Sequence, residues 1–274
     1  MHQFHYRGDR LYCEAVRLES LAKRFGTPLY VYSHRTLVNH FQKLGRAMAP
    51  VDHLICYAVK SNSNQSVLRT LANLGSGFDI VSEGELHRVI QAGGDPRKCV
   101  FAGAGKTAAE IEFALRQKVY CLNAESEPEL ERINRIAARR KTIAPVAVRV
   151  NPNVAVDTHA KITTGTYEDK FGIAFDLIEG VYAQAAKLKH LRLRGVQMHI
   201  GSQITQIAPY LDALDRVLDL LAEPREMPST AASRRVDRAS IAGQIEFEDV
   251  SFTLSLIHIS EPRDRTRTRM PSSA

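Results

Sequence analysis

The sequence predicts an α/β fold built on parallel βα units, and three observations carry that prediction. Short apolar runs of strand length recur at 54–59, 77–81, 98–102, 119–122, 146–150 and 194–200. Most of the intervals between them place apolar residues three or four apart, as at 65–74, 84–91 and 108–116. Strands alternating with amphipathic helices form parallel units, because each crossover must return over the sheet before the next strand begins. The third observation is length: 274 residues can bury a sizeable core, as one domain or a domain plus an extension. The rhythm does not separate an open doubly wound sheet from a closed barrel.

Taken in order, five of the six strand candidates carry or lead into a chemically distinctive residue. The run 54–59 closes on Lys60 and the polar turn Ser61-Asn62. A partly desolvated lysine there can lose its proton near neutral pH and condense with a carbonyl, whereas an isolated lysine past a strand is ordinarily a solvated surface charge. The run 77–81 carries Asp79, then Ser82 and, three residues on, Glu85. That spacing is a capping box, so Glu85 reads equally as a helix cap and as a catalytic acid. After 98–102 comes Gly103-Ala104-Gly105-Lys106, and 146–150 carries Arg149 ahead of Asn151-Pro152. An inward arginine at such a place reads either as a ligand-binding cation or as one half of an ion pair. The last run, 194–200, contains His199 and leads into Gly201-Ser202-Gln203.

Composition narrows the function classes. A net charge of +7 invites a nucleic-acid reading, but through residue 222 the basic residues are interspersed with acidic ones, with no basic helix or aromatic-interleaved stripe. The four cysteines, Cys13, Cys56, Cys99 and Cys121, stand singly in or beside apolar runs. They predict reduced, buried thiols; neither a metal site nor a disulfide framework is expected. Residues 1–10 lack an apolar signal core, and no stretch approaches the roughly 18 apolar residues of a membrane span. A cytoplasmic protein that engages neither membrane nor nucleic acid is the expectation.

In combination, the runs Tyr57-Ala58-Val59-Lys60-Ser61-Asn62, Gly77-Phe78-Asp79-Ile80-Val81-Ser82-Glu83-Gly84-Glu85, Phe101 to Lys106, Val148 to Pro152, Thr158 to Gly165, Lys170-Phe171-Gly172 and Met198 to Gln203 resemble the diaminopimelate decarboxylases. These are fold-type III pyridoxal-phosphate enzymes of lysine biosynthesis. The resemblance covers about residues 10–222, and the run Thr158 to Gly165 favours this family over ornithine and arginine decarboxylase relatives, which share the Lys-Phe-Gly triplet. The resemblance implies a (β/α)8 barrel of the alanine racemase-like type, with the six strand candidates as its first six strands and the chemistry at their carboxyl ends. It also implies pyridoxal 5'-phosphate as cofactor, carried by Lys60, with His199 stacked on its ring and Ser202 on its phosphate. Asp79 and Arg149 would lie close to it, Arg149 toward the phenolic oxygen. The implied reaction converts meso-2,6-diaminopimelate to L-lysine and carbon dioxide, with Lys60 and His199 as catalytic residues, no metal, and a homodimer as the family's assembly.

Beyond about Leu221 the chain changes character. From Pro224 onward there are eight arginines and no lysine, with little periodicity outside 244–253. The family's seventh and eighth strands, tri-glycine phosphate loop, Glu-Pro-Gly-Arg segment, cysteine-bearing loop and C-terminal β-domain have no recognisable counterpart here. The expected organisation is therefore a barrel fragment of about six strands at 1–222, followed by a non-family tail at 223–274, disordered or chimeric. Two alternatives stay open beside diaminopimelate decarboxylation: a non-catalytic pyridoxal-phosphate-binding fragment, and a decarboxylase for a related basic amino acid.

Overall fold

The computed structural model describes residues 2–152, 154, 171–201, 204, 206–222, 251–252 and 268–269. The chain divides into two compact units. The first, residues 1–150, 171–173 and 178–197, holds most of the secondary structure.

The first unit opens with an antiparallel three-stranded sheet of β1 (Phe4–Arg7), β2 (Arg10–Cys13) and β3 (Val16–Arg17). The β1–β2 turn carries Gly8 at φ +63°, a conformation glycine reaches without a Cβ penalty. Helices α1 (Leu18–Phe25) and α2 (His34–Met48) follow, and neither contains a fully buried residue. Glu14 ties α2 to the sheet: its carboxylate accepts the Ser33 hydroxyl at 2.7 Å and the Arg35 N–H at 2.8 Å. Those two donors hold the Glu14 carboxyl below the usual carboxylate range.

The predicted βα rhythm then appears in order. Strands β4 (Cys56–Ala58), β5 (Gly77–Ile80), β6 (Cys99–Phe101), β7 (Cys121–Ala124) and β8 (Ala144–Asn151) run parallel, each beside the next. A two-residue strand, β9 (Ile173–Ala174), pairs with β8, and β10 (Leu191–Met198) lies on the far side of β8. Helices α3 (Gln65–Asn73), α4 (Glu83–Gln91), α5 (Ala108–Gln117), α6 (Glu127–Arg139) and α7 (Ile178–Ala185) fill the crossovers. The described strands β4 to β8 and β10 form an open sheet, the arrangement of an incomplete barrel. Phe78, Ile80, Phe101, Leu122, Val146 and Val148 are fully buried along it. Each such side chain contributes roughly 1.5–3 kcal/mol of burial.

Strand spacing depends on one small residue. A Cβ on Gly77 would overlap the Lys98 carbonyl oxygen and lie 2.7 Å from the Cys56 sulfur. The crossover helices begin alike, since Asn64, Ser82, Thr107 and Ser126 each cap α3, α4, α5 and α6 by accepting a backbone N–H. Such caps are worth about 1 kcal/mol apiece and fix where each helix starts above its strand. All four cysteines are free thiols. Burial pushes Cys99 and Cys121 up to about 12 and Cys56 up to about 11.

The second unit contains residues 151–170, 174–177 and 198–274. Its described helix, α8 (Ala208–Ala222), buries Ala213 against Val154 and Ile200, with Met198 and Ile204 at the margin. Arg216 donates to the Pro152 carbonyl at 3.0 Å. Two short strands, β11 (Ser251–Phe252) and β12 (Thr268–Arg269), pair antiparallel. The remainder of the predicted tail lies outside the described residues. Among the described residues, no helix is long and apolar enough to cross a membrane.

Candidate functional site

Lys60 sits in the middle of a single 3-10 turn, Val59–Ser61, immediately after β4. The turn is pinned from both sides. Val59 is fully buried beneath it, the Ser61 hydroxyl donates to the Ala58 carbonyl at 2.6 Å, and the Tyr57 hydroxyl reaches the Asn62 carbonyl at 3.3 Å. The Lys60 side chain is exposed, so its amine is accessible where partial desolvation was expected.

Asp79 lies on the adjacent strand, in register with Ala58. Its Oδ1 is buried and has no hydrogen-bond partner among the described residues. An orphaned carboxylate oxygen is costly to keep in a folded chain. Desolvation pushes the Asp79 carboxyl above the usual carboxylate range; the Lys60 charge opposes that shift, Glu85 adds to it and Arg149 opposes it. Three charged groups, from two other strand ends and one helix start, thus act on Asp79.

Glu85 resolves its two readings in favour of the cap, without leaving the cluster. The Ser82 hydroxyl accepts the Glu85 N–H at 3.2 Å, and the Glu85 carboxylate accepts the Val81 N–H at 2.8 Å. Arg149, on β8, is nearly buried, with 11% of its side chain exposed. Its Nη1 lies 2.9 Å from Glu125 Oε2, and its guanidinium stands 5.3 Å from the centre of the Phe171 ring. The structure shows the ion-pair reading of this arginine, and its charge reaches Asp79.

The other strand-end lysine is committed elsewhere. Lys106 is buried; its Nζ donates to the Gly103 and Asn123 carbonyls at 2.5 and 2.7 Å and meets Glu129 Oε1 at 2.8 Å. An ammonium has three protons, and all three are engaged. Lys60 is therefore the strand-end lysine with an available amine.

His199, half-buried, follows β10 directly in the second unit, ahead of buried Ile200 and of Gly201 at φ +146°. Ser202, like the run 158–165 and Lys170, lies outside the described residues. The structure therefore gathers Lys60, Asp79, Glu85 and Arg149 within the first unit. Glu125 was missed from sequence; the available signal was its place directly before the Ser126 cap, one strand over from Arg149.

An exposed amine beside a buried, unsatisfied carboxylate and a guanidinium suits a polar ligand carrying a carbonyl and negative charge. Residues 34–231 match the family model described as the pyridoxal-binding domain of the pyridoxal-dependent decarboxylases. The chain belongs to that family. Diaminopimelate decarboxylase from Pseudomonas aeruginosa is 53% identical over 221 residues, 81% of this chain and 53% of the relative, and that from Vibrio cholerae is 52% identical over 222 residues with the same coverage. The crystal structure of the Helicobacter pylori diaminopimelate decarboxylase complexed with L-lysine superimposes with a TM-score of 0.71 at 38% identity, covering 75% of this chain and 53% of that one. These relatives fix the strand arrangement as that of the decarboxylase barrels. The chain spans about half the length of the curated relatives it matches.

Proposed function

We propose that this chain supplies the cofactor-binding half of a diaminopimelate decarboxylase, which converts meso-2,6-diaminopimelate to L-lysine and carbon dioxide using pyridoxal 5'-phosphate. The observation that carries the proposal is the pair formed by accessible Lys60 and orphaned Asp79 on adjacent strands, in a chain half identical to two such enzymes. Pyridoxal phosphate, when bound, supplies an electron sink for the pair of electrons that a departing carboxylate leaves behind.

The chain's own residues do the rest. Lys60 would hold the cofactor by its aldehyde through the amine, on a turn fixed by the Ser61 and Tyr57 hydroxyls. Asp79, with its proton affinity raised by burial, would take or give a proton more readily near neutral pH than an exposed carboxylate, with Glu85 adding to that affinity and Lys60 and Arg149 opposing it. By the family resemblance, Arg149 would offer a guanidinium to the cofactor's phenolic oxygen, His199 would cover its ring and Ser202 would bind its phosphate. Preorganised charges of this kind act without reorganisation during reaction. An amino-acid substrate, a homodimeric assembly and a cytoplasmic setting, to which four free thiols are suited, belong to the same reading.

The test is to join the chain at Leu221 to the C-terminal half of the Pseudomonas aeruginosa relative and follow release of labelled carbon dioxide. Release from meso-diaminopimelate, abolished by Lys60→Ala and far exceeding that from ornithine, arginine or lysine, is the expected result. Preference for another amino acid would overturn the substrate, and undiminished release by Lys60→Ala would overturn the site.

A further inference from the structure

We propose that Glu125 is a positioning residue for the cofactor site: it holds the Arg149 guanidinium where that group can face the cofactor and Asp79. This inference rests on the pyridoxal-phosphate reading above and assigns a role that the sequence motifs do not contain. Glu125 stands directly after β7, with 4% of its side chain exposed. Its two oxygens are divided between two tasks. Oε1 accepts the Gly103 N–H at 3.1 Å, which fixes the carboxylate against the loop after β6. Oε2 meets Arg149 Nη1 at 2.9 Å in an ion pair whose alignment falls short of a hydrogen bond. Charge attraction therefore holds the guanidinium more than directional bonding does, and a buried attraction of this kind is strong.

The backbone of Glu125 is held as firmly as its side chain. Its N–H donates to Glu129 Oε2 at 2.8 Å, and the other oxygen of Glu129 is bound by Lys106. A chain of buried contacts thus runs from Lys106 through Glu129 and Glu125 to Arg149. Phe171, 5.3 Å from the guanidinium, supports it from a second side. Arg149 is the member whose charge reaches Asp79. Orienting partners of this sort commonly change affinity or activity by 10–100-fold when removed.

A double-mutant cycle on pyridoxal-phosphate affinity of the full chain tests the assignment, with the visible absorption band of the bound cofactor as a second readout. Glu125→Gln retains an acceptor for the Gly103 N–H but loses the charge; affinity is expected to fall about tenfold or more and the band to shift. In an Arg149→Met background, Glu125→Gln should cause no further loss, because its effect passes through the arginine. That double variant also leaves no unpaired buried charge, so it stays folded if the single variant does not. Equal losses from Glu125→Gln in both backgrounds, or an unshifted band, would overturn the positioning role alone. Wild-type affinity in Arg149→Met would remove Arg149 from the site and the inference with it.

Discussion

Two corners of the first unit are built to one plan and end in opposite states. Asp79-Ile80-Val81-Ser82-Glu83-Gly84-Glu85-Leu86 at β5–α4 corresponds, position by position, to Asn123-Ala124-Glu125-Ser126-Glu127-Pro128-Glu129-Leu130 at β7–α6. In both, a polar residue occupies the third place of the strand and a serine caps the helix. Three residues on, a glutamate accepts the N–H of the residue ahead of the cap. Each corner also receives a lysine from beyond the preceding strand: Lys60 after β4 and Lys106 after β6.

At β7 the buried charges are matched, with Lys106 saturated and Glu125 paired with Arg149. At β5 Asp79 keeps a buried oxygen without a partner, while Lys60 stands exposed. On the proposed reading, the same scaffold serves stability where its buried charges are paired and ligand chemistry where they are not. Glu125 links the two corners through Arg149.

The largest effect that could break this comparison is on stability. Lys106→Met leaves Glu129 charged and buried and frees two carbonyls, so unfolding free energy should fall by about 3–5 kcal/mol. Lys60→Met should change it by no more than about 0.5 kcal/mol. Denaturant titration of the two variants separates the corners directly, and similar losses would mean that both lysines are structural.

Next in size is Gly77→Ala at the start of β5. The added methyl meets the Lys98 carbonyl and the Cys56 sulfur, and overpacking of this kind costs about 1–3 kcal/mol. Because Asp79 lies two residues along the same strand, cofactor affinity should fall with it.

Asp79→Asn is expected to move stability the other way. The folded-state pKa of Asp79 is raised, so the stability tied to its neutral form is full below the unfolded pKa and lost as pH rises through the folded one. At neutral pH the ligand-free Asn variant should therefore be the more stable. Its advantage should shrink on acidification and vanish below about pH 4. A constant advantage at every pH would mean that the carboxyl is not perturbed by burial.

The smallest effect concerns the thiols. With Cys99 and Cys121 held near 12 and Cys56 near 11, thiol reagents at pH 8 should modify the folded chain far more slowly than the unfolded one. Half-buried Cys56 should react ahead of the other two.

Much of this was legible in the sequence because it is local. The runs ending at Lys60, Asp79 and Arg149 fall on strands within two or three residues of their predicted bounds, and Ser82 with Glu85 caps α4 as the spacing predicts. What escaped depends on distance or on weak patterning. The Glu125–Arg149 pair joins residues separated by the whole of α6, and a glutamate ahead of a serine cap carries no mark of its partner. The sheet β1–β2–β3 escaped because its strands are at most four residues long and Phe4–Arg7 is mostly exposed. The difference between Lys60 and Lys106 is also invisible in sequence, since burial and three acceptors distinguish them.

That difference is the central claim, and covalent trapping measures it. The chain is incubated with pyridoxal phosphate, reduced with borohydride and mapped by peptide mass spectrometry. A single dominant adduct on Lys60, reduced in Asp79→Asn and absent from Lys106, is the expected result. An adduct on Lys106, or label spread evenly over the surface lysines, would contradict it.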